Sequence, residues 1–126
     1  MKGLFSVLPA VVALHLVGCS GDDSESPVNP GAPNVDCDTE VIPSYTAVRA
    51  FDVCTNCHSS ELVGVVERNG APPSLNFNTY EGAAVAAPRM VTQVSMGNMP
   101  PPPSGFSLTP EEKDELYVWA ECGTPE

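Results

Sequence analysis

The sequence predicts a small all-α domain joined by long irregular segments. Three stretches carry apolar residues at helical spacing, and no stretch shows convincing period-two alternation. The 10 Gly and 14 Pro among 126 residues leave much of the chain outside regular structure. This length allows one domain with a modest core. A domain of that size gains from a staple such as a disulfide, a metal or a cofactor, and five Cys make one available.

The first helix is expected over Ser44–Asn56, where Tyr45, Val48 and Phe51 recur every three residues on one side. The second is expected over Asn78–Met96. Asn78 is its N-cap, with Glu81 three residues on, and Pro88 breaks it by opening a new helix as first residue. The third, Pro110–Cys122, is the best marked. Thr109 and Glu112 form a capping box, Pro110 takes the first helical position and Gly123 ends the helix. Leu116, Trp119 and Ala120 make its apolar stripe. Two long loops, Glu61–Phe77 and Gly97–Leu108, separate the helices.

The chain opens with Lys2, an apolar run from Leu4 to Val17, and Leu16-Val17-Gly18-Cys19. The run is shorter than the roughly 20 residues a membrane-spanning helix needs, and it fits a signal peptide. Its end resembles the bacterial lipobox, in which a Cys after a small residue and Gly receives lipid. That resemblance makes residues 1–18 a lipoprotein signal peptide and Cys19 the lipidated N-terminus of an exported, membrane-anchored protein. An incidental Cys behind an ordinary signal peptide is the alternative. Ser20 in place of Asp after the lipidated Cys resembles the Gram-negative sorting pattern that directs lipoproteins to the outer membrane, which that resemblance favours over the inner. Residues 19–36 are then a tether rich in Pro, Gly and Asp. It has too little apolar surface to order itself and a reach on the order of 25 Å. The domain follows over residues 37–126.

Five Lys and Arg stand against 16 Asp and Glu, a net charge of −11. Nucleic acid is excluded as the natural partner, because phosphate binding needs a basic face. Loss of the leader removes Lys2 and leaves Arg49, Arg68, Arg89 and Lys113 as the only Lys and Arg.

The chemistry is concentrated in Cys54-Thr55-Asn56-Cys57-His58. This C-x-x-C-H spacing is the attachment signature of c-type haem. Two thiols three residues apart reach two vinyl groups on one porphyrin edge, and the next residue places an imidazole under the iron. A thiol–disulfide motif, a zinc site and a plain disulfide compete with this reading. The first favours a βαβ setting that is missing here. The second needs four ligands, and only the distant Cys37 and Cys122 remain to complete them. His15 lies in the leader, so His58 is the single His of the mature chain. The sixth iron ligand is then Met90, Met96, Met99, another donor, water or nothing.

Residues 44–123 resemble a class I-type c-type cytochrome, the single-haem, all-helical electron carriers. The resemblance rests on C-x-x-C-H at 54–58, Pro73-Ser74-Leu75, Gly97-Asn98-Met99-Pro100 and Leu116-Tyr117-Val118-Trp119, in the family's order. It implies a cytochrome c-like fold of three to four helices with long loops wrapped around one covalently attached haem c. Cys54 and Cys57 would bind the haem, His58 would be the proximal metal ligand and Met99 the distal one, with Met96 second and Met90 in the core. The Pro73 carbonyl would accept the proton on the other His58 nitrogen, fixing the ring and raising its basicity. Leu75 would pack on the porphyrin, and Trp119 where the terminal helices cross. Arg89 reads as a solvated surface residue rather than a propionate partner. The family's meeting of terminal helices also implies a Cys37–Cys122 disulfide, with two free thiols as the alternative.

The chain departs from the family pattern in places. Thr46 and Ala50 occupy positions where Gly and an aromatic are frequent, with Phe51 shifted by one, and the run Pro100–Pro103 is longer than usual. Such a run stiffens the distal loop. No catalytic constellation accompanies the haem, so the expectation is a single-electron carrier rather than an enzyme. It would act alone or as the electron-transfer subunit of a dehydrogenase or oxidase. Its acidic residues, Asp22, Asp23 and Glu25 in the tether and Glu111, Glu112, Asp114 and Glu115 in the last helix, would steer it to a redox partner with a basic docking surface. A five-coordinate haem sensor or weak peroxidase, or a haem-free zinc or disulfide module, are the alternatives.

Overall fold

The computed structural model describes residues 33–126. The leader, the lipidation site Cys19 and the tether up to residue 32 lie outside the described residues. Four α-helices follow in order: α1 (Ala50–Cys54), α2 (Gly64–Glu67), α3 (Tyr80–Ser95) and α4 (Pro110–Glu121). Among the described residues there is no strand, so this part of the chain is all-α. Nor is any helix there long and apolar enough to cross a membrane.

The helix expected over Ser44–Asn56 is divided. A 3-10 turn at Tyr45–Ala47 is followed by extended Val48 (φ −78°, ψ 99°) and then α1. Tyr45 explains the break. Its backbone N–H donates to the Pro125 carbonyl at 2.9 Å and its hydroxyl to the Phe77 carbonyl at 2.7 Å. These anchors hold the residue off the path of a continuous helix. The expected apolar face survives, with Val48 and Phe51 buried and Tyr45 half-buried.

The loop expected over Glu61–Phe77 contains α2, whose entry is held by the Val63 N–H on the Glu67 carboxylate at 2.7 Å. The loop at Gly97–Leu108 contains one 3-10 turn, Pro102–Ser104.

Two expectations for α3 are corrected. Its N-cap is Thr79, whose hydroxyl accepts from the Gly82 N–H at 3.2 Å. Asn78 is engaged elsewhere, exchanging two 3.0 Å bonds with Ser60. Pro88 does not break the helix, which runs through it. A proline inside a helix costs about 3 kcal/mol. Ala83, Ala86 and Ala87 before it and Met90, Val91 and Val94 beyond it are all buried. Each of the three larger side chains contributes roughly 1.5–3 kcal/mol, which outweighs the local cost.

α4 forms as its end signals require. The Thr109 hydroxyl accepts from the Glu112 N–H at 3.2 Å, and the Glu112 carboxylate accepts from the Thr109 N–H at 2.7 Å. At the far end Gly123 takes φ +95°, which lets the Thr124 N–H reach back to the Trp119 carbonyl at 2.9 Å. α4 packs on α1 and α3. The fully buried Trp119 meets Phe51 edge-on at 5.1 Å and donates from Nε1 to the Pro125 carbonyl at 2.8 Å. Cys37 and Cys122 are bonded, with Cα atoms 5.5 Å apart and 85 positions apart in sequence. Closing so long a loop is worth at most about 4.5 kcal/mol in the chain-entropy view.

Candidate functional site

Cys54 ends α1, and backbone bonds from the Cys57 and His58 N–H groups to the Cys54 carbonyl, at 3.1 and 2.9 Å, continue the turn. The Asn56 amide caps the Asp52 and Val53 carbonyls at 3.0 Å each. Local geometry therefore fixes all three motif side chains in one turn of chain. Cys54, Cys57, His58, Leu75 and Met99 line a single cavity with about 990 Å³ of atom-free space, part of it open to solvent. Phe77, Met90, Val94 and Leu108 complete a mostly apolar wall.

His58 is only 8% exposed. Its ring stacks on Phe77, with centroids 4.5 Å apart and planes 20° apart, and the Phe77 N–H donates to the His58 carbonyl at 2.7 Å. Nδ1 lies 3.2 Å from the Leu75 carbonyl. A carbonyl only accepts, so Nδ1 carries the proton and Nε2 keeps its lone pair. This corrects the expected acceptor from Pro73 to Leu75. Pro73 is exposed, does not line the cavity, and accepts through its carbonyl from the Asn76 amide at 3.0 Å. Burial pushes the His58 imidazolium below its ordinary pKa; the Leu75 carbonyl opposes that, and the positive charges of Arg68 and Arg89 add to it. The ring is held neutral, as a metal ligand must be.

Cys54 and Cys57 are not bonded to one another. Burial, with a smaller contribution from Cys57, pushes the Cys54 thiol up to about 12. A thiol–disulfide catalyst needs the opposite shift, so this setting disfavours that alternative. The zinc alternative is weakened too, because the two cysteines that would complete its ligand set are spent on the disulfide. Among the described residues, no three His, Cys, Asp or Glu side chains are grouped so as to hold a metal ion.

The far side of the cavity comes from the loop after α3. The Asn98 and Met99 N–H groups both donate to the Gln93 carbonyl, at 2.9 and 3.2 Å, which turns the chain back beneath the helix end. Met99 is half-buried against the core, whereas Met96 is 62% exposed and does not line the cavity. Met90 is buried in the core, as expected, and its side of α3 also lines the cavity. Arg89 is exposed, as expected, and contributes to the cavity's lining.

Sequence reasoning missed Arg68. This arginine is only 4% exposed. Nε donates to the Ala71 carbonyl at 3.1 Å, and Nη2 to the Pro72 and Leu75 carbonyls at 2.7 and 2.9 Å. Nη1 donates to the Asn76 side-chain oxygen at 3.0 Å and to the Ser59 carbonyl. All five N–H donors of the guanidinium are thus used. Burying such a cation costs several kcal/mol, and hydrogen bonds from a charged group, at about 1.5–3 kcal/mol each, are strong enough to offset it. The available signal was one basic residue among Asn69, Gly70, Pro72 and Pro73, in a chain with few cations.

Compared with protein-family models, with curated proteins and with solved structures, the chain matches none.

Proposed function

We propose that the chain is a monohaem c-type cytochrome, an exported and lipid-anchored carrier of single electrons. The observation that carries this reading is the convergence of Cys54, Cys57, His58 and Met99 on one apolar cavity, with the His58 proton fixed on Nδ1. That donor set fits a covalently attached haem. Two thiols stand ready for thioether bonds, an imidazole nitrogen is free for iron, and a thioether lies in the same cavity. The haem supplies an iron that alternates between ferric and ferrous states; Met ligation favours the ferrous form.

The chain's own residues perform the rest. Cys54 and Cys57 retain the cofactor irreversibly. His58 is held by Phe77 and Leu75 in one tautomer and orientation, so its ligation does not have to be reorganised during electron transfer. Leu75, Phe77, Val94 and Leu108 give the site an apolar lining. Met99, rather than the exposed Met96, would supply a sulfur ligand to the iron of a bound haem. A basic redox partner is favoured by the acidic depression that Glu40, Glu111, Asp114 and Glu115 form around Arg49. The lipid on Cys19 places the carrier on the periplasmic or outer side of a bacterial membrane.

The test is the visible spectrum of the mature protein, made in an exporting host with haem-attachment machinery, before and after unfolding. Haem that stays with the unfolded chain, with a native low-spin spectrum and a Met–sulfur-to-iron charge-transfer band, is the expected result. Met99→Ala should abolish that band, whereas Met90→Leu and Met96→Leu should keep it. A high-spin native spectrum would replace this function with a haem sensor or weak peroxidase. A colourless protein would return Cys54, Cys57 and His58 to zinc or disulfide chemistry.

A further inference from the structure

We propose that Arg68 is the positioning residue of the His58 side of the cavity, setting the His58–Leu75 hydrogen bond and, through it, the reduction potential. The inference rests on the cytochrome reading for its electrochemical part and on the geometry alone for its mechanical part.

Three observations carry it. First, Arg68 is buried and its partners are carbonyl and amide oxygens rather than carboxylates. The described salt bridge of the chain is elsewhere, between Arg49 and Glu115. A cation kept inside without a neutralising partner leaves its field in the site. Second, four of its five acceptors, on Ala71, Pro72, Leu75 and Asn76, belong to one six-residue stretch, and the fifth is the carbonyl next to His58, on Ser59. The guanidinium therefore ties the motif to the loop that covers it. Asn69 (φ +49°) and Gly70 (φ +81°) turn the chain around the side chain so that this is possible. Third, the Leu75 carbonyl receives two donors at once, Arg68 Nη2 at 2.9 Å and His58 Nδ1 at 3.2 Å.

The direction of the effect follows from that shared oxygen. A carbonyl already bound to a cation has less electron density to offer a second donor. The His58 Nδ1–H bond is thereby weakened, the ring is a poorer electron donor, and the more positive ferric iron is stabilised less. The buried positive charge acts in the same direction, since it disfavours the oxidised site. Arg68 thus raises the potential by both routes.

The experiment compares the native haem protein with Arg68→Met and Arg68→Lys. The reduction potential is read by optical titration and the His58 Nδ1–H resonance by NMR of the ferrous form. The expected result is a fall in potential in Arg68→Met, a smaller fall in Arg68→Lys, and a displaced Nδ1–H resonance in both. A lower melting temperature with unchanged potential and unchanged Nδ1–H would reduce Arg68 to a structural residue and overturn the proposal. Should the variants fail to assemble, the native protein decides. Its Arg68 guanidinium protons are expected to exchange with solvent far more slowly than those of Arg89, and equal rates would overturn the clamp. A native chain that carries no haem would end the cytochrome reading, while slow Arg68 exchange in that same chain would still establish the clamp.

Discussion

The cavity has two walls built on opposite principles. On the His58 side, the loop after the motif is held by side chains that reach across it: Arg68 to five oxygens and Asn78 to Ser60. On the Met99 side, residues 97–108 are held by short local bonds, such as the Ser104 N–H and hydroxyl to the Pro101 carbonyl at 2.9 and 2.7 Å. There the stiffness comes from Pro100–Pro103, whose rings restrict the backbone without any partner. A network can position an atom and also polarise it. A proline run limits the freedom of the unfolded chain but leaves the electronics of Met99 alone. The supporting residues of the first wall should therefore respond to single substitution in stability and in chemistry, and those of the second, Met99 itself apart, only weakly and only in stability.

The largest break of that contrast is Arg68→Met. It strips the guanidinium from five oxygens, leaving the Ser59 and Pro72 carbonyls only the Leu62 and Leu75 N–H groups at 3.2 and 3.1 Å, and loosens the loop. Loss of a buried charged group from its network is expected to cost about 3 kcal/mol of unfolding free energy, measured by denaturant titration. A cost below about 0.5 kcal/mol, typical of a surface site, would show that the network is ornamental.

A second break approaches the same wall from α3. A Cβ built on Gly82 would lie 2.0 Å from the Asn76 carbonyl oxygen, and 3.0 Å from the Thr79 hydroxyl. The obstacle is backbone, so the helix or the loop must move. Gly82→Ala is expected to cost about 1–3 kcal/mol despite the better helix propensity of Ala. A gain in stability would mean that the loop gives way freely, contrary to the contrast.

On the other wall, Pro102→Ala and Pro103→Ala should each cost only about 0.4–1 kcal/mol, through the unfolded state. Both positions are exposed in the 3-10 turn. The visible spectrum of the haem-loaded variants should not change. A spectral change from either would mean that the proline run positions Met99 more tightly than its bonds suggest.

The same contrast governs what the sequence revealed. Features that act through one residue's own backbone were legible. The capping box at Thr109 and Glu112, the stop at Gly123 and the apolar face of Val48 and Phe51 all formed. Cys54, Cys57 and His58 sit within one turn of chain, so their convergence needed no tertiary information. What was misread depends on distant partners. Asn78 has the chemistry of a cap, but Ser60 claims its side chain. Pro88 has the signature of a helix start, but buried residues on both sides carry α3 through it. The carbonyl under His58 is Leu75 rather than Pro73 because Arg68 binds the half-buried Leu75 carbonyl, while the exposed Pro73 carbonyl is taken by the Asn76 amide. Arg68 offered only its place in a turn-rich segment, since no spacing distinguishes an arginine destined for burial from one left in water.

The smallest effect isolates burial from charge. Arg49 carries the same guanidinium as Arg68, but at the surface, where it pairs with the Glu115 carboxylate at 2.7 Å. Exposed pairs contribute little, because water and salt screen them and two long side chains must be ordered. The hydrogen bond from Arg49 holds the Glu115 carboxyl below its ordinary pKa of 4.5. A carboxyl lowered in the folded state adds stability that is fully present above the unfolded value and is lost as pH falls through the folded one. Glu115→Gln should therefore lower the melting temperature slightly at pH 7 and progressively less as pH falls below 4.5, and added salt should shrink the difference at pH 7. If Arg49→Met cost as much as Arg68→Met, charge alone would explain both arginines. The expected gap between them, a barely measurable loss for Arg49 against about 3 kcal/mol for Arg68, assigns the difference to the shell of oxygens that only burial provides.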